Sequence, residues 1–263
     1  MTAYLYGGLS ANNPECSIPG AFSPVVQKLT AYEVSDSEDS LLKTIHQELI
    51  VENFRDPNDV DTYEGLKHYV SSRENNESQR IRYHVIAALD GSQVAGATIF
   101  AFFGCPTYCF MKGEYTVVRP AFRRQGIAPW LGNARSIIAA RDAVDLGYRN
   151  GVDFSILTSN RSESASLPDL ERSPWRRMGF RIIDFPLVQL PLWEGGGSCD
   201  EIRLGFKGHT PIFTNCTFLR SDEMRDIINA VNYFRDTTFR NEQHPRYRAM
   251  LKMFNAEVRF ALL

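Results

Sequence analysis

The sequence contains no continuous apolar run of the roughly 20 residues that a membrane-spanning helix needs. Residues 1–24 lack the basic start and the apolar stretch of a signal peptide. Lys and Arg number 29 against 31 Asp and Glu, so the formal net charge is −2 and no general basic field would attract nucleic acid. These absences predict a soluble, cytoplasmic protein that binds neither a membrane nor a nucleic acid.

Cysteine is also scarce, and the five residues are too scattered to suggest a secreted disulfide framework. Cys105 and Cys109 are four positions apart, but no second pair and no suitably spaced histidine lies near them, so no zinc site is expected. The histidines are dispersed too, and we interpret all five as surface or turn residues: His46, His68, His84, His209 and His244. The sequence therefore predicts no metal centre, and it contains no Ser-His-Asp set, P-loop lysine or dinucleotide fingerprint.

The composition supports a substantial core, because 43% of the 263 residues are hydrophobic. Residues 1–30 are rich in Gly, Ser, Asn and Pro, and we interpret them as an irregular N-terminal arm with a short strand near 25–29. A main domain is expected over 31–207. Two amphipathic helices predict a C-terminal helical extension over 208–263 that packs on the core.

Helical and extended patterns alternate along the main domain. Candidate N-caps at 35–40 precede a helical pattern that continues to Phe54, and a second helix is expected over 60–73. An Asp-Gly pair at 90–91 separates two apolar runs, which predicts a β-hairpin. The further expected elements are a strand at 110–118, a helix at 127–146, a strand at 153–158, and two strands at 181–193 and 200–207.

The most informative stretch runs from 113 to 128 and reads GEYTVVRPAFRRQGIA. A β-branched run ends at Pro120, a basic loop with one glycine follows, and a helix begins. The first N–H groups of a helix have no helical partner and its dipole favours negative charge, so this junction suits an anion. Gly126 lets the backbone close on a bound group, and Arg123 and Arg124 add positive charge suited to phosphate. The stretch therefore predicts a loop that binds a diphosphate.

This stretch resembles the acyl-CoA-binding motif of the GNAT superfamily of N-acetyltransferases, whose pattern is Arg/Gln-x-x-Gly-x-Gly/Ala. Arg123, Gly126 and Ala128 occupy the patterned positions, after the usual Val-x-Pro at 118–120. A second stretch, Trp175 to Phe180, resembles the family's Tyr-x-x-x-Gly-Phe. The order of elements over about 30–207 is also that of the family.

The resemblance implies an α/β fold with a mixed, mostly antiparallel central sheet, a V-shaped splay between two strands and flanking helices. It also implies acetyl-CoA as the acyl donor and no metal. Backbone groups near Val117 and Val118 would hold the pantetheine and polarise the thioester carbonyl, and Asn160 would contact the pantetheine arm. The pyrophosphate would be held by the loop, with Arg123 beside it and the backbone N–H groups of Arg124, Gln125, Gly126, Ile127 and Ala128.

Direct transfer to an amine needs a route for the amine's proton. Glu114 is the candidate base, because it shares strand parity with Thr116 and Val118 and because family members often place an acidic base on this strand. Two alternatives stay open: Glu114 is an ordinary strand-edge glutamate, or a water chain carries the proton.

The expected general acid is missing, since Trp175 stands where the family usually has the tyrosine that protonates the CoA thiolate. An indole N–H is not a practical proton donor of this kind. Tyr148, Ser166 or Ser173 could replace the tyrosine, or the thiolate could leave unassisted, because a thiol with a reference pKa near 8.5 is a good leaving group.

The leading hypothesis from the sequence is a CoA-dependent N-acetyltransferase that acts on a primary amine of a small molecule. A longer-chain N-acyltransferase, with acyl-CoA or acyl carrier protein as its donor, is the first alternative, and it is favoured by aromatic residues along the strands that could line an acyl pocket. A non-catalytic acyl-CoA sensor is the second, favoured by Trp175. A homodimer is left open.

Overall fold

The computed structural model describes residues 26–54, 60–72, 80–160, 178–189, 199–232, 250, 252 and 260–262, some of them by their backbone alone. These residues form a mixed α/β fold. The strands are β1 (Thr30–Glu33), β2 (Ile81–Asp90), β3 (Gln93–Gly104), β4 (Cys109–Val118), β5 (Phe154–Asn160), β6 (Arg181–Gln189), β7 (Cys199–Gly208), β8 (Phe218–Leu219) and β9 (Phe260–Ala261). The helices are α1 (Ser40–Thr44), α2 (Tyr63–Ser71), α3 (Ile127–Asp145), α4 (Pro211–Thr214) and α5 (Ser221–Asn232).

Seven of these strands form one sheet in the order β1-β2-β3-β4-β5-β7-β6, and β8 pairs with β9 in a second, small sheet. The pairs β1–β2, β2–β3, β5–β7 and β6–β7 are antiparallel. The predicted fold class, a mostly antiparallel sheet in a mixed α/β protein flanked by helices, is confirmed. Among the residues described, no helix is both long and apolar enough to cross a bilayer.

The chain divides into two compact units, and β4 contributes to both. The first unit comprises 1–104 and 113–149, and the second comprises 105–112 and 150–263. The predicted division into an arm, a main domain and a C-terminal extension stays a prediction, and most of the arm lies outside the described residues.

In the first unit, the β2–β3 hairpin turns at Gly91, which has a φ of +60° as an Asp-Gly turn requires. Helix α1 begins after Asp39, whose side chain accepts a hydrogen bond from the Leu41 N–H. The chain then continues as a π-helical segment, Ile45–Val51, rather than as a regular α-helix. Ile45 and Leu49, four positions apart, are both buried here, as they would also be in a regular α-helix, so the apolar pattern alone does not reveal the change.

The strand predicted near 25–29 is wrong. Val26–Lys28 forms a 3₁₀ turn, in which the Leu29 N–H donates to the Val26 carbonyl, and the strand lies later, at Thr30–Glu33. Val26 and Leu29 are both buried, and side chains three residues apart lie on one side of a 3₁₀ turn. The apolar spacing therefore reflects the turn and not an extended chain.

In the second unit, the core is built from aromatic rings. Phe110 and Phe154 stack with centroids 4.8 Å apart, and Phe206 and Phe213 pack on Phe154 at 5.1 and 4.9 Å. The aromatic residues of the predicted strands are therefore core side chains. The helix predicted from Ser221 is confirmed as α5; of the helix predicted after Pro245, only 250 and 252 are described.

Candidate functional site

The predicted diphosphate loop lies in the first unit, between β4 and α3. A short 3₁₀ turn, Pro120–Phe122, follows the strand, and the backbone then enters the left-handed region twice, at Arg124 (φ +62°) and at Gly126 (φ +85°). Helix α3 begins directly after Gly126. The order predicted from the sequence, strand, loop and helix, is confirmed.

The N-terminus of α3 has no side-chain cap, because its N-cap residue is Gly126. The first hydrogen bond of the helix runs from the Trp130 N–H to the Gly126 carbonyl, at 3.2 Å. The N–H groups of Ile127 and Ala128 lie before that bond and have no acceptor within the helix, and Pro129 has no N–H. Most helices satisfy such donors with a Ser, Thr, Asp or Asn side chain. An uncapped helix N-terminus behind a glycine can instead donate to an anion.

The requirement for glycine at 126 comes from the backbone and not from a lack of space. A Cβ added to Gly126 would have Val26 Cγ2 as its nearest neighbour, at 3.6 Å, which is an ordinary contact. A φ of +85° is disfavoured for any L-residue with a side chain, most of all for a β-branched one. The conformation, rather than packing, therefore defines this position.

Arg123 is exposed, but hydrogen bonds to neighbouring residues fix the position of its guanidinium group. Its Nε donates to the Val118 carbonyl at 3.1 Å and its Nη2 donates to Asn53 Oδ1. Gln125 Nε2 donates to the Ala121 carbonyl at 3.1 Å, which ties the loop to itself. Arg124 is also exposed, and its side chain makes no hydrogen bond or ion pair among the described residues. Arg123 therefore stabilises the conformation of the loop, while the charge of Arg124 is exposed to solvent.

The strand before the loop alternates in burial as the sequence predicts. Tyr115 and Val117 are buried, whereas Glu114 and Val118 are half-buried and Thr116 is exposed. Glu114 therefore shares its side of the strand with Thr116 and Val118, which is the parity expected for the candidate base.

Close packing holds this strand against β3. The Thr98 hydroxyl donates to the Tyr115 carbonyl at 3.1 Å, and a Cβ added to Gly96 would lie 2.7 Å from the Val117 carbonyl oxygen. The backbone of β4 before the loop is therefore rigidly placed.

A polar cluster surrounds Tyr115. Its hydroxyl donates to Asp61 Oδ2 at 2.8 Å and accepts from the Asp61 N–H at 3.0 Å. Burial, followed by the negative charge of Asp61, raises the pKa of Tyr115 well above its ordinary value. The pKa of Tyr83 is also raised, by burial and then by the charges of Asp61 and Glu114. Two carboxylates and two buried phenols therefore lie close together.

No local pattern in the sequence indicates this cluster, since Asp61 and Tyr115 are 54 positions apart. The prediction that the histidines are surface or turn residues is wrong for His46 and His84, which are buried side chains. In each case the partners come from other elements, and no local spacing links them to the histidine.

The other predicted site residues fall elsewhere. Asn160 is the last residue of β5 in the second unit, where its backbone pairs with Ile202, and its side chain is outside the described part. Trp175, Ser166 and Ser173 are also outside the described residues. Tyr148 is described; its hydroxyl accepts from Arg80 Nη1 at 3.2 Å. Within the described chain, no group of three or more His, Cys, Asp and Glu could hold a metal ion.

No protein-family model and no curated protein matches the chain. Among solved structures, an acetyltransferase assigned to the GNAT family from Bacteroides thetaiotaomicron is 17% identical, with 76% of this chain and 95% of that one covered and a TM-score of 0.48. A GNAT-family acetyltransferase from Elizabethkingia anophelis, solved with acetyl-CoA bound, is 15% identical over 69% of this chain and 99% of that one, with a TM-score of 0.41.

An acetyl transferase from Salmonella typhimurium, which modifies the N-terminal serine of a 50S ribosomal subunit protein, is 15% identical over 71% of this chain and 98% of that one, with a TM-score of 0.46. These three solved structures are acetyltransferases, and two of them are described as members of the GNAT family.

Proposed function

We propose that the protein is an acyl-CoA-dependent N-acetyltransferase that transfers an acetyl group from acetyl-CoA to a primary amine of a small molecule. The observation that carries the proposal is the junction of β4 and α3, where an uncapped helix N-terminus follows a left-handed glycine. Backbone N–H groups from Arg124 to Ala128 would bind the pyrophosphate, and the exposed Arg124 side chain would add a mobile positive charge.

The backbone of β4 next to the loop would bind the acyl end of the donor. Groups near Val117 and Val118 are assigned to the pantetheine and to the thioester carbonyl, as the resemblance implies. A strand held in place by the close approach at Gly96 and by Thr98 would present such a donor in a preorganised position, and one donor of this kind is typically worth about 3 kcal/mol of transition-state stabilisation.

Glu114 is proposed to accept the amine's proton, directly or through water. The amine nitrogen then attacks the thioester carbonyl carbon, the carbon–sulfur bond breaks, and CoA leaves as a thiolate. Its ordinary thiol pKa, near 8.5, allows departure without a dedicated acid. The cytoplasmic location, the role of Asn160 at the pantetheine arm and the homodimer stay predictions.

Calorimetric titration with CoA, acetyl-CoA and a long-chain acyl-CoA tests the donor, and release of free thiol in the presence of a panel of amines tests the transfer. Acetyl-CoA binding with amine-dependent thiol release is expected. Binding without release would favour the sensor, and binding of the long-chain form alone would favour the longer-chain acyltransferase. Failure to bind any of the three would end the proposal.

A further inference from the structure

Thr98 of β3 and Thr116 of β4 are hydrogen-bonded to each other, with their hydroxyl oxygens 3.0 Å apart. The Thr98 hydroxyl also donates to the carbonyl oxygen of Tyr115 at 3.1 Å, and a carbonyl oxygen can only accept. A hydroxyl group has one hydrogen, so the hydrogen of Thr98 is committed to this carbonyl. Thr116 must therefore be the donor in the bond between the two threonines.

This direction determines what Thr116 offers to a bound molecule. Its hydroxyl hydrogen is directed at Thr98, which is completely buried, whereas Thr116 itself is exposed. The lone pairs of its oxygen are the hydrogen-bonding capacity that remains. Thr116 therefore presents a hydrogen-bond acceptor, and not a donor, on the exposed side of β4.

Thr116 lies along the strand between the candidate base and the backbone assigned to the thioester. Glu114, Thr116 and Val118 share one side of β4, and alternate residues of a strand are about 7 Å apart. A nitrogen that attacks the thioester must be within hydrogen-bond reach of the base and next to the carbonyl held near Val117 and Val118. The exposed oxygen of Thr116 is at the position along β4 that this nitrogen would occupy.

We propose that Thr116 Oγ1 accepts one N–H of the reacting amine while Glu114 accepts the other, so that Thr116 selects primary amines. Two hydrogen bonds from one nitrogen need acceptor oxygens about 5 Å apart, and the longer side chain of glutamate spans the difference from the strand repeat. This inference rests on the proposed acetyl transfer and deepens it, because it names a residue that determines the class of acceptor.

The two N–H groups of the amine have different fates in the reaction. The nitrogen lone pair forms the bond to the thioester carbon, the carbon–sulfur bond breaks, and its electron pair leaves with CoA as a thiolate. One proton passes to Glu114, and the other hydrogen stays on the nitrogen of the product amide, directed at Thr116. A secondary amine has a single N–H for the base, so its second substituent lies against the Thr116 oxygen and that hydrogen bond is not made.

Kinetics with matched amines test the proposal on the full-length protein. Thiol release from acetyl-CoA is measured with butylamine, benzylamine and glycinamide, and with the N-methyl derivative of each. Thr116→Val keeps the shape of the side chain and removes the acceptor. We expect the ratio of kcat/KM for the primary amine to that for its N-methyl derivative to fall about five- to tenfold in Thr116→Val, because the primary amine alone loses a hydrogen bond.

Two further variants separate this effect from a general change in the strand. Thr116→Ser retains the hydroxyl oxygen and should keep the ratio of the parent protein. Thr30→Val replaces another exposed strand threonine of the same unit and is the matched control, with the ratio of the parent expected. Calorimetry with CoA should give the parent affinity for all three variants. Weaker CoA binding in Thr116→Val with an unchanged ratio would place Thr116 at the acyl donor and overturn the proposal.

The outcome is separable from that of the proposed function. Amine-dependent thiol release with an unchanged ratio in Thr116→Val would reject Thr116 as the selecting residue and leave the acetyl transfer in place. No amine-dependent release from any of the three primary amines would reject the inference together with the proposed transfer.

Discussion

Nε2 of His84 lies 2.7 Å from Oδ2 of Asp142, and both side chains are completely buried. Nδ1 of the same ring lies 2.7 Å from Glu33 Oε1, and the ring stacks on Phe100 with centroids 4.7 Å apart. Arg82 Nη1 donates to the other Asp142 oxygen at 2.8 Å. The imidazole therefore joins β1, β2 and α3 inside the first unit, and donation to both carboxylates requires its protonated form.

The first prediction concerns the pH dependence of stability. Burial alone would lower the pKa of His84, but the hydrogen bonds and charges of Asp142 and Glu33 raise it above the ordinary value of 6.5. The stabilisation is therefore fully present below about 6.5 and is lost as the pH rises through the raised pKa. Urea unfolding measured across neutral and alkaline pH should show a falling free energy of unfolding.

Asp142 makes the free energy of unfolding depend on pH in the acid range as well, and there the stability falls as the pH is lowered. Burial would raise its pKa, but the bonds from His84 and Arg82 lower it below the ordinary 3.8, so its stabilisation is present above that value and is lost as the pH falls through the lowered pKa. His84→Gln should lower the free energy of unfolding by about 3–5 kcal/mol and remove the alkaline limb. His68→Gln should do neither; an unchanged alkaline limb in His84→Gln would assign that limb to another group.

The second prediction compares Gly126, which immediately precedes α3, with Gly132, which lies within the same helix. A Cβ fits at both Gly126 and Gly132, but only Gly126 has a positive φ. Gly126→Ala should cost about 1–2 kcal/mol of stability, whereas Gly132→Ala should gain about 1 kcal/mol, because alanine favours a helix interior. Chemical denaturation measures both changes.

Binding separates the two positions further. Gly126→Val should abolish CoA binding in calorimetry while the protein still folds, since the loop can no longer present its N–H groups in the same geometry. Gly132→Ala should bind CoA like the parent protein. Undiminished CoA affinity in Gly126→Val would remove the loop from the proposed site.

The elements around the loop could be predicted from the sequence because their signals are local. Asp90-Gly91 specified the hairpin, and the start of α3 at Ile127 followed from the glycine before a helical pattern. The polar pairs could not be predicted, because His84 binds partners 51 and 58 positions away. Apolar periodicity determines which face of an element is buried, but not which polar side chains meet there.

The third prediction concerns Arg124, which adopts a left-handed conformation without being glycine. Arg124→Gly should raise the free energy of unfolding by about 1 kcal/mol, because the strain disappears, and should weaken CoA binding about tenfold, because the charge is lost. Arg124→Lys should retain most of the affinity. Arg80→Gly, which removes the other arginine with a positive φ among the described residues, should leave CoA affinity unchanged. A variant that is more stable but binds CoA more weakly would identify Arg124 as a binding residue. Tighter CoA binding in Arg124→Gly would exclude that role.

The fourth prediction tests the candidate base. Glu114→Gln should lower the rate of thiol release by at least about 100-fold, with CoA affinity unchanged, because a general base typically contributes this much. Glu48→Gln removes a half-exposed carboxylate that pairs with Arg119 Nη2 at 2.8 Å and serves as the control, with turnover near that of the parent. If Glu114→Gln turns over at the rate of the parent protein, Glu114 is not the base and the amine's proton leaves through a water chain.

The fifth prediction concerns cysteine reactivity in the second unit. Burial and then the charge of Asp226 raise the pKa of Cys105 to about 12, and burial raises the pKa of Cys109 to about 12. At neutral pH only about one thiol in 10⁵ is then ionised, and the thiolate is the reactive form. Iodoacetamide followed by mass spectrometry should leave both residues unmodified in the folded protein and label both in urea. Rapid labelling of Cys105 in the folded protein would contradict the prediction, because it would require a much larger thiolate fraction at neutral pH than a pKa of about 12 allows.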